Sequence, residues 1–298
     1  MEKNNTVESL VQRFSKKTAD YVQLIKLRLT LLVVFSSAMA YLWATDRNVD
    51  TLTIWLLSSG GFLITASSNI FNQIIEARLD GLMKRTAKRP LPDGRISKKE
   101  AFWMGLLTGM TGLLILSKIN FLSIMLGAAA MMIYIFLYTP LKTTTWLAVV
   151  PGAIAGSLPV VIGCIAASNS ITHQALLLFS LQFLWQFPHT WSIAWLLNDD
   201  YNRAGIKLLP ANEKNKKAAS LITLSTFLMI PAAFLLYMYE LSGILVTGVI
   251  ALAGIILLVF SIQFYQKRTD KSAVRLMLNS LAYLPLVLLI LVAEKFFL

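Results

Sequence analysis

The chain has 298 residues, 56% hydrophobic and 14% charged, against about 45–50% and about 25% in soluble domains. That balance excludes a soluble globular domain and reads as an integral membrane protein. The formal net charge of +12 would suit a nucleic-acid binder, but the charges fall in short segments between apolar runs, so they read as membrane topology, and no nucleic acid is expected as a partner.

In chain order, residues 1–26 form a polar, basic tail. It contains Glu2, Glu8 and Asp20, so it does not read as an organelle transit peptide, and the apolar run after it is long enough to span, so no cleavable signal is expected. A span takes about 20 apolar residues. Nine segments qualify: 27–45, 52–74, 102–117, 120–138, 146–166, 174–197, 219–238, 241–262 and 276–296. The expected fold is therefore all-α, a polytopic bundle of nine transmembrane helices around a central cavity. With the N-terminus inside, 24 of the 27 basic residues fall on one side, leaving Arg47, Lys118 and Lys295 on the other. The C-terminus is then outside.

The second span runs into Asn72, Glu76 and Asp80. Spaced four apart, the three share one face of a helix. Oxygen ligands converging at a helix end suit Mg²⁺, which keeps several waters and bridges to substrate phosphates. A carboxylate inside a span costs about 2.5–3.5 kcal/mol and usually signals function, although interfacial polarity is the competing reading. The loop that follows carries Arg85, Lys88 and Arg89, suited to phosphate. Lys142 and Arg203 join them as diphosphate candidates, although loops on this side of a membrane are basic in any case. Acids, metal and phosphate at a membrane surface imply a substrate that is part lipid and part polyphosphate.

Further along, Tyr134/Tyr138 and Trp191/Trp195 recur at i, i+4. Such aromatics are usually belt or packing residues, but their faces also suit a carbocation. Cys164, the one cysteine, excludes a disulfide within the chain and reads as packing. In the sixth span, Gln182, Gln186 and His189 form a polar stripe beside Pro188, and an intramembrane histidine is by default a functional candidate. Asp199 and Asp200 follow that span. They point about 100° apart on a helix, so one of the two faces the cavity, and Asp200 is taken as the second metal-binding edge. Loops 2–3 and 6–7 each run acid, base, Leu-Pro, polar turn, basic helix start. This weak repeat divides residues 1–298, read as one membrane-embedded domain, into spans 1–4 and 5–8 plus a ninth.

Four segments carry a resemblance to a known family: Asn72-x3-Glu76-x3-Asp80-x2-Met83-x-Arg85-Thr86-x2-Arg89-Pro-Leu, Tyr138-Thr-Pro-Leu-Lys142, Gln186-Phe-Pro-His189-x-Trp191, and Asp199-Asp-Tyr201-x2-Ala204-Gly205-Ile-x-Leu-Leu-Pro210. The chain resembles the intramembrane prenyltransferase superfamily that includes the 4-hydroxybenzoate polyprenyltransferases, and within it the branch that acts on haem. Glu76 stands where the superfamily usually has Asp, Thr143 where a second basic residue is expected, and Ala204 where a further carboxylate is usual outside the haem branch.

The resemblance implies transfer of a farnesyl group from farnesyl diphosphate to a vinyl group of protohaem IX (haem B). The product is hydroxyethylfarnesyl haem (haem O), destined for haem–copper terminal oxidases. It implies Mg²⁺ as cofactor, a bacterial plasma membrane as the location, the lipid bilayer as surroundings, and a downstream haem-modifying enzyme as a partner. On this reading Asn72, Glu76, Asp80, Asp199 and Asp200 are catalytic, and His189 with Gln186 contacts haem. His189 lies eleven residues from Asp200, about 16 Å along a helix and so too deep for the diphosphate. Two alternatives stand beside this reading: a sister enzyme acting on a quinone or chlorophyll precursor, and a non-enzymatic transporter.

Overall fold

The computed structural model describes residues 15–46 and 48–297. The first fourteen residues of the predicted tail, together with Arg47 and Leu298, lie outside the described residues. A helical segment at 15–24 leads into nine long helices: α1 (Leu27–Ala44), α2 (Thr51–Leu82), α3 (Lys98–Leu116), α4 (Phe121–Leu141), α5 (Trp146–Ser168), α6 (His173–Leu196), α7 (Lys216–Met238), α8 (Ile244–Lys267) and α9 (Asp270–Phe297). No strand occurs among the described residues.

All nine helices fall on predicted segments. Seven are long and apolar enough to cross a bilayer, whereas α3 and α6 fall short of that standard. The physical reasons differ. Helix α3 opens on Lys98, Lys99 and Glu100, and α6 carries the Gln182, Gln186 and His189 stripe. Helix α2 runs to Leu82, eight residues past the predicted end of its apolar run. The extension contains Glu76, Ala77 and Arg78, which favour helix, so the polar face continues without a break.

Short polar residues start the helices. Asp50 accepts from the backbone N–H groups of Leu52 and Thr53. Ser97, Asn120, Thr172 and Asn215 cap α3, α4, α6 and α7 in the same way. Each such cap contributes about 1 kcal/mol. Glu240, between α7 and α8, is left-handed at φ 55°, which makes the predicted tight turn and keeps the two helices separate.

Side chains such as Trp55, Phe121, Leu245 and Phe297 point outward, as expected of helices surrounded by lipid tails. Pro159, Pro188, Pro231 and Pro285 sit inside helices, which membrane bundles tolerate because neighbours satisfy the freed backbone groups. Small residues set the close approaches. A Cβ at Gly163 of α5 would lie 2.2 Å from the Ser37 carbonyl of α1. Helix α1 packs on α2, α5 and α9, and α6 packs on α5, α7 and α9. These contacts enclose a cavity of about 390 Å³ lined from α1, α2, α3, α4, α5, α6 and α9.

Candidate active site

Helix α2 brings Asn72, Glu76 and Asp80 to one buried face, as the spacing predicts. Glu76 receives a salt bridge from Lys142 (Nζ to Oε1, 2.7 Å), and Asp80 one from Arg89 (Nη1 to Oδ2, 2.8 Å). Pairing is what lets carboxylates remain ionised once buried. Thr86, fully buried, donates to the Asp80 carbonyl at 2.8 Å and so pins the loop that carries Arg89.

A third cation comes from a residue the sequence pattern assigned only to topology. Lys26, just before α1, adopts the left-handed conformation at φ 50° and donates from Nζ to Asn72 Oδ1 at 3.0 Å. Asn72 Nδ2 in turn donates to Thr139 Oγ1 at 3.2 Å, so both ends of the amide are engaged. Burial, together with the Arg89 and Lys142 charges, lowers the Lys26 pKa to about 7. Burial pulls Lys142 the same way, but Glu76 together with Tyr134 and Tyr201 outweighs it, and the pKa ends above the usual lysine value. When Lys26 is protonated, three cations face two carboxylates and the corner is short of negative charge.

The cluster meets the cavity at Tyr138, whose ring centroid lies 4.3 Å from Lys142 Nζ. Helix α4 widens to a π-helix over Ile133–Tyr138, and Thr139 donates both N–H and Oγ–H back to the Tyr134 carbonyl. Tyr134 and Tyr138 come to 5.1 Å between centroids, and both line the cavity. Of the second predicted aromatic pair, Trp195 is buried edge-to-face on Phe264 and Trp191 packs on Trp146 and Phe187. Neither lines the cavity, so that pair serves packing.

The 6–7 connection closes over this end of the bundle. Asp200, on the short helix Asn198–Ala204, accepts from the Lys84 N–H at 3.3 Å and pairs with Arg203, whereas Asp199 is exposed. The helix therefore turns Asp200 toward the 2–3 loop. Tyr201 lines the cavity, and burial raises its pKa against the field of Lys142, Arg85 and Arg89. Arg85 and Lys88 are exposed. Among the described residues, no three His, Cys, Asp or Glu side chains gather where they could hold a metal. Glu76, Asp80 and Asp200 thus do not form a three-acid cage. The donor set still suits Mg²⁺, which takes one or two carboxylates and completes its shell with water and substrate phosphate.

Deeper in, Gln182, Gln186 and His189 line the cavity wall as the stripe predicts. Gln182 Nε2 donates to the Gly156 carbonyl at 2.6 Å. Gln186 occupies the space in which a Cβ at position 156 would stand, so glycine there makes room for it.

A buried row of oxygen donors, a cation surplus and a tunnel inside a helix bundle are the attributes of intramembrane prenyl transfer. The model of the UbiA prenyltransferase family matches residues 33–284. The chain belongs to that family. It is accordingly an integral membrane prenyltransferase, and the transporter alternative falls away.

Two curated relatives extend the match. The Protoheme IX farnesyltransferase of Cytophaga hutchinsonii is 44% identical, covering 93% of this chain and 98% of that one. The mitochondrial Protoheme IX farnesyltransferase of Arabidopsis thaliana is 34% identical over 89% of this chain and 62% of its own length. Among solved structures, a digeranylgeranylglyceryl phosphate synthase superposes with a TM-score of 0.80 at 18% identity, covering 95% of this chain and all of that one. A UbiA homologue from Archaeoglobus fulgidus bound to GPP and Mg²⁺ gives 0.70 at 15% identity, covering 91% of this chain and 99% of its own.

Proposed function

We propose that this prenyltransferase moves the farnesyl group of farnesyl diphosphate onto a vinyl group of protohaem IX, giving hydroxyethylfarnesyl haem. One observation carries the reading: Tyr138 lies between a cation-bearing corner at α2 and a cavity whose wall on α6 is neutral and bears a histidine. The first suits a diphosphate and the second an iron porphyrin. The relatives named Protoheme IX farnesyltransferase support the same substrates.

In this mechanism Lys26, Arg89 and Lys142 hold the diphosphate, with Arg85, Lys88 and Arg203 at the rim. Their charges stabilise the leaving group as the C1–O bond breaks. Mg²⁺, held by Glu76 and Asp80 with Asn72 and Asp200 in support, supplies further charge neutralisation when bound. Tyr134 and Tyr138 present π faces to the allylic cation. The terminal vinyl carbon of haem then bonds to farnesyl C1. Water adds its oxygen to the ring-proximal carbon and releases a proton, and diphosphate leaves. The apolar walls keep bulk water out until the carbon–carbon bond exists. His189 and Gln186 hold the porphyrin below the diphosphate.

We place the basic loops in the cytoplasm of a bacterial plasma membrane, with the N-terminus inside and the C-terminus outside after nine crossings. The product passes through the bilayer to a haem-modifying enzyme or a terminal oxidase. Reporter fusions at positions 90 and 298 should mark opposite sides; the same side for both ends the nine-span topology. The reaction is tested by incubating purified protein with haem B, farnesyl diphosphate and Mg²⁺ and weighing the products. A haem heavier by a farnesyl group and a hydroxyl is expected. Consumption of farnesyl diphosphate onto a quinol, with haem unchanged, would refute the acceptor.

A further inference from the structure

His189 is held from two sides by one residue of α9. Its Nδ1 lies 2.9 Å from Ser280 Oγ. Trp185, one turn earlier on α6, stacks on the imidazole with centroids 4.7 Å apart and planes 14° from parallel. The Trp185 Nε1–H donates to the Ser280 backbone carbonyl at 2.5 Å, so Ser280 fixes both rings.

Ser280 is fully buried, and its hydroxyl has one proton to give. Its Oγ lies 2.7 Å from the Met277 carbonyl, which can only accept, so the network is satisfied when the proton goes there. Toward His189 the Ser280 oxygen is therefore an acceptor, which requires the hydrogen on Nδ1. A neutral imidazole protonated at Nδ1 keeps its lone pair on Nε2. The ring lines the cavity, and Trp185 restrains its rotation. An Nε2 lone pair beside a cavity is a ligand for a metal centre, and partners at the other ring nitrogen commonly set that orientation.

We propose that Ser280 is a positioning residue that fixes His189 as the Nδ1–H tautomer and so presents Nε2 to the iron of the acceptor porphyrin. The iron half of this statement rests on the haem reading above; the tautomer half does not. It adds a specificity element: the site selects an acceptor that carries a metal, over a metal-free ring of the same shape.

The two halves can be tested separately. The chain has only two histidines, so ¹⁵N NMR of histidine-labelled protein without haem gives two imidazoles, assigned with a His173→Asn variant. The expected result is protonated Nδ1 and bare Nε2 at His189, lost in Ser280→Ala and kept in Ser280→Thr. A wild-type His189 protonated at Nε2 overturns the proposal, whatever becomes of the variants.

Haem titration by absorption spectroscopy then reads the ligand. Ser280→Ala should weaken haem affinity by about 10–100-fold and remove the histidine-ligated spectrum, with farnesyl diphosphate affinity unchanged. Metal-free protoporphyrin should bind wild type and Ser280→Ala alike. Equal haem affinity and spectrum in wild type and Ser280→Ala would overturn the positioning role. A wild-type haem spectrum in His189→Ala would instead overturn the ligand assignment while leaving the tautomer result standing.

Discussion

The α2 corner and the cavity wall formed by α6 and α9 are held together by different forces. At α2 the fastening is ionic: Lys142 on Glu76, Arg89 on Asp80, Lys26 on Asn72. Along α6 and α9 it is neutral: Gln182 on a carbonyl, Trp185 and His189 on Ser280. Buried ion pairs contribute little net stability, and the cations in them are the groups that a diphosphate would engage. Neutral hydrogen bonds in an apolar wall fix ring orientation without attracting charge. One region is therefore suited to seize and ionise a diphosphate, and the other to orient a large flat acceptor.

The largest expected effect breaks the ionic half alone. Asp80→Asn should lower kcat by at least about 10²-fold, as removal of a main electrostatic stabiliser does, while haem affinity stays at the wild-type value. Chelation of Mg²⁺ should abolish turnover in the same assay. Turnover that survives both treatments would remove the metal from the mechanism.

A second substitution separates pairing from chemistry. Lys142→Ala strands the Glu76 carboxylate and should cost about 3–5 kcal/mol of stability, read from denaturation in detergent. Combining Lys142→Met with Glu76→Gln removes both charges and should restore stability but not turnover. If the double variant stays as unstable as the single one, the pair is not what Lys142 contributes.

The smallest effect distinguishes neighbours. Asp200→Asn should cost about tenfold in kcat, equivalent to about 1.4 kcal/mol, and Asp199→Asn less than about twofold. Equal losses at the two positions would mean that the turn of the short helix Asn198–Ala204 has no bearing on catalysis.

Much of this is legible in the sequence alone. Apolar length marked all nine helices, and a spacing of four put Asn72, Glu76 and Asp80 on one face. What stayed hidden depended on contacts between distant segments. Lys26 is one basic residue among several in a tail, and only its left-handed backbone and the approach of α1 to α2 bring it to Asn72. The π-helix at Ile133–Tyr138 has no periodic signature, yet it aims Tyr134 and Tyr138 together. Ser280 is an ordinary serine in an apolar helix until α9 docks on α6. Asp199 and Asp200 are equivalent in sequence, and the fold of the 6–7 connection distinguishes them. Hydropathy falls where the functional face of α2 begins, eight residues before the helix itself ends.

The division of labour between the two regions is tested most directly by measuring both substrate affinities in one pair of variants. Farnesyl diphosphate and haem B would each be titrated against purified wild type, Arg89→Ala and His189→Ala. A crossed result is expected: Arg89→Ala loses farnesyl diphosphate affinity and keeps haem, and His189→Ala loses haem affinity and keeps farnesyl diphosphate. If His189→Ala instead loses the prenyl donor with haem affinity and spectrum intact, His189 belongs to the other substrate, and the assignment of the two regions is contradicted.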